Sequence, residues 1–500
     1  MVLSARIGNK TVEWFSELEQ HFSVYRKGIV GINQTFQSPY GEMPIMYADW
    51  TASGRLYRPI EAKILEEFAP FMANTHTESN ETGSFMTNAY HHAKKIIKQH
   101  VNASETDALI FDGFGMTSVI NKLQRMLGLR IPEAWMPQVQ LACEDRPVVF
   151  ITHREHHSNH TSWLETVCDV VVLPQGANGE IDPAALEELL PFYKERPLRI
   201  GAFTACSNVT GLMTPYHQLA RIMHEHDGIC LVDFAASAPY VKMDMNPGDP
   251  LEALDAIVFS PHKFLGGPGT SGVMVLNQSL YHNQIPDHPG GGTVKWTNPW
   301  GEHSYYDEIE VREDGGTPGI LQGIRAALCI RLKEEMGVEK MLAREKELIK
   351  VILPGLKAIK GIHVLEGQEE DRLGIISFMV PGVHYNLIVK LLNDRFGIQV
   401  RGGCSCAGTY GHCLLNISKE QSNEIMEAVE AGDLSVKPGW IRFSMHPVMT
   451  NKEAHEFLLA MRSIMNHLDE WKQEYVYDPQ TNDYFYQDLH REDFDWLFYV

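Results

Sequence analysis

The chain has 500 residues, 44% hydrophobic and 21% charged, the balance of a folded globular protein of roughly two or three domains. Its 43 basic and 64 acidic residues leave a net charge of −21, which argues against nucleic-acid binding, since that needs a basic face. The opening stretch MVLSARIGNKTVEWFSELEQ has no apolar h-region, and no apolar run reaches membrane-spanning length. With eight scattered cysteines, the expectation is a cytoplasmic protein with reduced thiols, no membrane partner and no nucleic-acid partner.

Between residues 45 and 325, short β-branched runs alternate with helical patterns. Predicted strands are Ala108 to Phe111, Pro147 to Thr152, Val170 to Pro174, Leu198 to Ala205, Ile229 to Ala235, Ala256 to Ser260 and Gly272 to Leu276. In SVINKLQRML, Val119, Ile120, Leu123, Met126 and Leu127 share one helical face. DPAALEELL starts a helix with Asp182 as N-cap and Pro183 at its first position, and TPYHQLARIMHEH repeats that start with Thr214 and Pro215. Alternation of this kind predicts an α/β unit with a mostly parallel sheet covered on both faces. From Asp287 to Pro318 the chain is rich in Gly, Trp and charge, and reads as a long functional or interface loop rather than a disordered linker.

A second, smaller α+β unit is expected after that loop. Its elements are a helix through LQGIRAALCIRLKEEMG, strand GIISFMV, helix YNLIVKLLNDRF, strand IQVR, a cysteine loop, a helix near KEQSNEIMEAVEAG, strand WIRFS and a long helix around KEAHEFLLAMRSIMNHLDEW. The domain boundaries expected are an N-terminal segment 1–44 packing with the small domain, a large domain 45–325, a small domain 326–470, and an aromatic, acidic tail 471–500 that packs on the body or a partner.

AIVFSPHKFLGGPG sets Ser260, His262 and Lys263 just beyond the carboxyl end of a buried strand, where open α/β sheets bind ligands. A lysine partly withdrawn from water there has a lowered pKa and forms Schiff bases with carbonyls, although a lone loop lysine is more often plain surface. Asp233 ends the apolar strand ICLVDFA, where a carboxylate is costly unless paired; the ring nitrogen of pyridoxal phosphate is such a partner. FDGFGMTSVINKL is a strand, glycine turn and helix start whose amides at Gly115, Met116 and Thr117 suit a phosphate. REHHSNHTSW supplies His156, an imidazole able to stack on an aromatic ring.

In this order, with MYADWTASG (46–54), SNVTGLMTP, GGTP (315–318), RGGCSCAG and IRFS, the chain over roughly residues 45–460 resembles the class V aminotransferase family, in particular its cysteine desulfurases and selenocysteine lyases. The resemblance implies the fold type I of pyridoxal 5′-phosphate enzymes, with a mostly parallel seven-stranded sheet. Lys263 would then carry the cofactor, Asp233 would pair with its ring nitrogen, His156 would stack on it, and Asn208 would reach its oxygen substituent. Met116 and Thr117 amides, Ser260 and His262 would hold the phosphate, with Thr317 reaching in from a second subunit of a homodimer. Arg442, with Arg401 nearby, would clamp the substrate α-carboxylate, a planar anion suited to a guanidinium fork.

VRGGCSCAGTYGHC crowds Cys404, Cys406, His412 and Cys413 together. These are zinc-type ligands, but the Cys-x-Cys-x5-His-Cys spacing lacks the common CxxC pairs, and no metal is expected. A disulfide is disfavoured by compartment, and a purely structural loop stays open. The resemblance puts the family's persulfide-forming cysteine at Cys406; Cys404 remains a second thiol able to relay the sulfur or be the nucleophile itself. A cation beside it, Arg401 or a protonated His156, would favour the thiolate. The implied reaction is L-cysteine to L-alanine with a persulfide passed to an acceptor thiol, and the implied partner is a sulfur-acceptor protein. Ala236 stands where many members have glutamine, Met116 replaces a common threonine, and SMHPVMT lacks the usual Tyr-Asn. A C–S lyase or amino-acid epimerase on the same scaffold, and an idle binding protein, therefore remain alternatives.

Overall fold

The computed structural model describes residues 16–75, 77–139, 141–176, 179–487 and 494–499, and the backbone of 6–7 and 10–11. Its largest sheet holds seven strands: β1 Asp107–Asp112, β2 Val148–Ile151, β3 Asp169–Val172, β4 Arg199–Thr204, β5 Ile229–Asp233, β6 Ala256–Phe259 and β7 Gly272–Asn277. The spatial order is β1-β7-β6-β5-β4-β2-β3, parallel except that β7 runs antiparallel to both β6 and β1. All seven coincide with predicted strands to within about two residues, because each is a β-branched or apolar run bounded by turn residues, buried in all but the edge strand β3. Cores lie on both faces of the sheet, one around Phe150, Phe203 and Val232 and the other around Ile110, Val149 and Met274.

Helix α1 (Glu17–Lys27) starts from Ser16, whose hydroxyl accepts the Glu19 amide at 3.0 Å. Helix α2 (Met116–Met126) buries Val119, Ile120, Leu123 and Met126, the face its periodicity predicts. Asp182 caps its helix as expected, but Thr214 does not cap the next one. The Thr214 amide is tied to the Ala205 carbonyl at 3.0 Å and Pro215 occupies the cap position, so that helix begins at Tyr216. The loop expected between Asp287 and Pro318 is partly folded: Val294–Thr297 pairs with His303–Tyr305, and Ile309–Arg312 forms a helical turn.

Beyond it, α4 (Ile320–Met336) ends where expected and is followed at once by α5 (Val338–Lys357), a helix absent from the elements expected of the sequence. Gly337, at φ 79°, is the single joint between them. A four-stranded antiparallel sheet comes next, built from β8 His363–Val364, β9 Ile375–Met379, β10 Arg401–Gly403 and β11 Trp440–Ser444 in the order β8-β9-β11-β10. It packs with α5, α6 (Tyr385–Phe396) and α8 (Asn451–Trp471) around Phe378, Phe443 and Phe457. The run IQVR splits: Ile398–Gln399 pairs in parallel with Met46–Tyr47, and only Arg401 enters β10.

Helix α1 lies across the two halves of the chain. The Tyr25 hydroxyl donates to the Glu335 carbonyl at 2.9 Å, while Arg26 pairs with Glu453 at 2.7 Å. Of the tail, Tyr475–Asp478 and Asp483–Tyr486 form a hairpin on the body, and residues 494–499 are largely exposed. Among the described residues no helix is long and apolar enough to cross a membrane.

Candidate active site

Adjacent parallel strands β5 and β6 end side by side, with Asp233 in register with Val258. Asp233 is 4% exposed and accepts the Ala235 amide at 2.8 Å. Burial pushes its carboxyl up to about 6, against the pull of Lys263. Two residues past β6, a single 3-10 turn (Pro261–Lys263) carries the lysine over the strand ends. Burial lowers the Lys263 amine to about 8, opposed by Asp233. Gly54 explains why the lysine turn sits where it does: its amide donates to the His262 carbonyl at 2.9 Å, and a Cβ there would fall 1.8 Å from the Phe264 carbonyl oxygen. The motif MYADWTASG thus braces the lysine turn by close backbone approach.

The start of α2 faces this turn. Met116 donates its amide to Ser260 Oγ at 2.8 Å, and the Thr117 hydroxyl bonds Ser158 Oγ at 2.6 Å. A Cβ on Gly115 would lie 3.0 Å from His262 Cε1 and 3.1 Å from Ser260 Oγ, so its absence keeps a polar notch open at the helix N-terminus. His262 Nδ1 bonds the Phe114 carbonyl oxygen at 3.0 Å and burial lowers its pKa.

His156 stands at the N-cap of α3 (His157–Leu164), where its Nδ1 accepts the Ser158 amide at 3.1 Å. Burial, together with the positive charges of Lys263 and Arg442, drives its pKa down to about 3. The expectation of a protonated His156 beside the cysteine is therefore corrected: the ring is neutral, and the neighbouring cations are arginines. Arg442, on β11, is 2% exposed; its Nη1 donates to the Asn208 carbonyl at 3.1 Å and its Nη2 to Asp49 Oδ1 at 2.7 Å. Asp49 Oδ2 also accepts from Arg401 Nε at 3.1 Å, so one carboxylate aligns both guanidinium groups. The sequence pattern did not single out Asp49 as a partner of these arginines, because 393 residues separate it from Arg442.

Cys406 stands on a tight turn. The Ala407 amide closes onto the Cys404 carbonyl at 3.0 Å, and the two central residues, Ser405 and Cys406, have φ of 53° and 57°. Such left-handed backbone costs an L-residue about 1–2 kcal/mol, so surrounding contacts must hold it. Asn208 Nδ2 donates to the Ser405 carbonyl at 2.7 Å and the His157 amide to the Cys406 carbonyl at 2.7 Å. His157 Nε2 accepts the Gly408 amide at 2.8 Å, which requires a neutral ring, and burial lowers that pKa. Cys406 is exposed, whereas Cys404 and Cys413 are half-buried, and all eight cysteines are free thiols. His412 bonds Ser422 and the Gly408 carbonyl, and among the described residues no three His, Cys, Asp or Glu side chains converge on one point.

One cavity of about 330 Å3 gathers these groups. Met116, Thr117, His156, Asn208, Asp233 and Ser260 line it, as do His262, Lys263, Arg401, Cys406 and Arg442. Thr317 does not; it lies in a separate cleft of about 940 Å3 and accepts a hydrogen bond from Asn74 at 3.3 Å.

The family model for class V aminotransferases matches residues 46–457, and the chain belongs to that family. Among similar proteins, a probable cysteine desulfurase of Halalkalibacterium halodurans is 28% identical over 368 residues, 73% of this chain and 84% of that protein. A probable cysteine desulfurase of Staphylococcus aureus is 26% identical over 367 residues, covering 73% and 83%. Two solved structures share the fold: the cysteine desulfurase of Thermococcus onnurineus at TM-score 0.70 and 22% identity, and CsdA of Escherichia coli at 0.68 and 20%. Each alignment covers 89% of this chain and 98% of the other. The expected fold type I architecture is thereby borne out.

Proposed function

We propose that the protein is a pyridoxal 5′-phosphate-dependent cysteine desulfurase, converting L-cysteine to L-alanine and leaving the sulfur on Cys406. The observation that carries this reading is the exposed Cys406 turn in the same cavity as Lys263 and the paired arginines. The residues fit the cofactor: a buried carboxylate with a raised pKa at the floor, a lysine with a lowered one beside it, and an open polar notch at a helix N-terminus. Asn208 Oδ1, buried and without a hydrogen-bond partner among the described residues, is one more polar atom awaiting a ligand.

In this proposal Asp233, His156, Asn208, Lys263, Ser260, His262 and the start of α2 hold the cofactor, which when bound supplies an electron sink that makes the substrate Cα proton acidic. Arg442 and Arg401, aligned by Asp49, take the substrate carboxylate. The Lys263 amine, lowered to about 8, removes the Cα proton; Cβ then takes one proton and Cα regains one, the second of these being the proton the Cys406 thiol gives up. Cys406 attacks as thiolate, forming a bond to the substrate sulfur as the Cβ–S bond breaks. The balance is L-cysteine plus enzyme thiol giving L-alanine plus enzyme persulfide. An acceptor thiol then removes the sulfur from the persulfide.

The proposal takes residues 45–325 as the cofactor-binding unit and 326–470 as the unit carrying the cysteine turn. It also includes a cytoplasmic homodimer in which Thr317 of one subunit completes the phosphate site of the other. The test is a product assay with L-cysteine and a thiol reductant: alanine and sulfide in equal amounts are expected. Pyruvate with ammonia would instead mark a C–S lyase, a scrambled α-centre an epimerase, and no conversion with no cofactor band a binding protein.

A further inference from the structure

The family match ends at residue 457, but the chain continues through α8 into a hairpin of β12 (Tyr475–Asp478) and β13 (Asp483–Tyr486). This hairpin lies on α6. The Tyr475 hydroxyl donates to Asp394 at 2.9 Å and Arg395 pairs with Glu474 at 2.7 Å. At its tip stands Asn482, left-handed at φ 56°, a conformation that asparagine tolerates better than most residues. Its Oδ1 accepts from Tyr477 Oη at 2.8 Å and bonds His384 Nε2 at 3.1 Å, and its carbonyl accepts from Asn386 Nδ2. Its Nδ2 donates to the Tyr385 hydroxyl at 2.8 Å.

Tyr385 connects this tip to the active site. Its ring fills a slot that two glycines leave open. A Cβ on Gly439 would come within 2.5 Å of the ring, and one on Gly402 within 2.9 Å. Gly402 and Gly403 belong to β10, which begins at Arg401 and runs directly into the turn bearing Cys406. The ring is thus clamped against the strand that joins Arg401 to the cysteine turn.

We propose that the β12–β13 hairpin is a strap that fixes the cysteine turn, with Asn482 and Tyr385 as positioning residues acting through β10. The role in sulfur transfer rests on the desulfurase reading above; the mechanical coupling does not. The alternative is that the hairpin merely covers the apolar core of the small domain, where Tyr475, Tyr484 and Tyr486 pack.

Two substitutions separate these in the full-length, cofactor-loaded protein. Asn482→Gly keeps the left-handed backbone and its carbonyl but removes the side-chain bonds. Tyr385→Phe keeps the ring in its slot and removes only the hydroxyl. Hydrogen–deuterium exchange of the Ala407 and Gly408 amides should rise about 2- to 10-fold in each, the span that loss of one hydrogen bond predicts. The double variant should add little to either single one, and amides of β5 and β6 should not change. For the desulfurase, kcat should fall by a similar factor with KM unaltered. Faster exchange confined to the hairpin, with Ala407 and Gly408 unchanged, would overturn the strap. Faster exchange at the turn in a protein that makes no alanine would uphold the strap and reject the desulfurase reading.

Discussion

Asp233, Ser260 and Lys263 leave the ends of adjacent strands in one seven-stranded sheet, whereas Cys406 stands on a four-residue turn with two left-handed residues. The floor groups are fixed by buried ladders and need few side-chain contacts to stay in place. The turn is the reverse: its geometry is unfavourable in itself, and Asn208 and His157, from distant parts of the chain, hold it with three hydrogen bonds. A rigid floor suits a bound cofactor, while a thiol that must reach a substrate and then hand sulfur outward belongs on the less constrained element.

The largest effect expected is at the floor. Lys263→Ala should cut alanine formation by at least about 1,000-fold and remove the visible band of the cofactor-loaded protein. The same lysine offers a pH test. Because its amine is lowered to about 8, capture of an added aldehyde by cofactor-free protein, trapped with borohydride, should rise with pH and level off above 8. An ordinary lysine would keep gaining free amine up to its usual value near 10.5, and that profile would break the account of the floor.

A smaller effect sharpens the link between the two regions. Asp49 aligns Arg442 beside the floor with Arg401 at the root of the turn. Asp49→Asn should raise KM for L-cysteine about tenfold, the loss of one charge-assisted contact, with kcat changed much less. A fall in KM would mean that Asp49 competes with the substrate carboxylate for the arginines instead of aligning them.

The floor was legible in the sequence because its signals are local. A buried β-branched run ending in Asp233, or one followed by Ser-Pro-His-Lys, declares both the strand and the position just past its end. What stayed hidden depends on long-range contact or on single backbone angles. Nothing near Asp49 announces its partners, and no glycine or asparagine marks the left-handed angles of Ser405 and Cys406. The neutral state of His156 follows from its burial beside Lys263 and Arg442, which no neighbour in sequence reveals. Thr214 looked like a cap because the residue type and the following proline fit, yet the loop pairing with Ala205 claims its backbone.

The most direct test of the central claim is to find the sulfur. The cofactor-loaded protein is incubated with L-cysteine without reductant, alkylated and digested, and the mass of the peptide carrying Cys404 and Cys406 is measured in wild type, Cys404→Ser and Cys406→Ser. The account predicts one extra sulfur on Cys406, kept in Cys404→Ser and absent from Cys406→Ser. Alanine accumulating while the extra sulfur sits on Cys404, or on neither thiol, would contradict it.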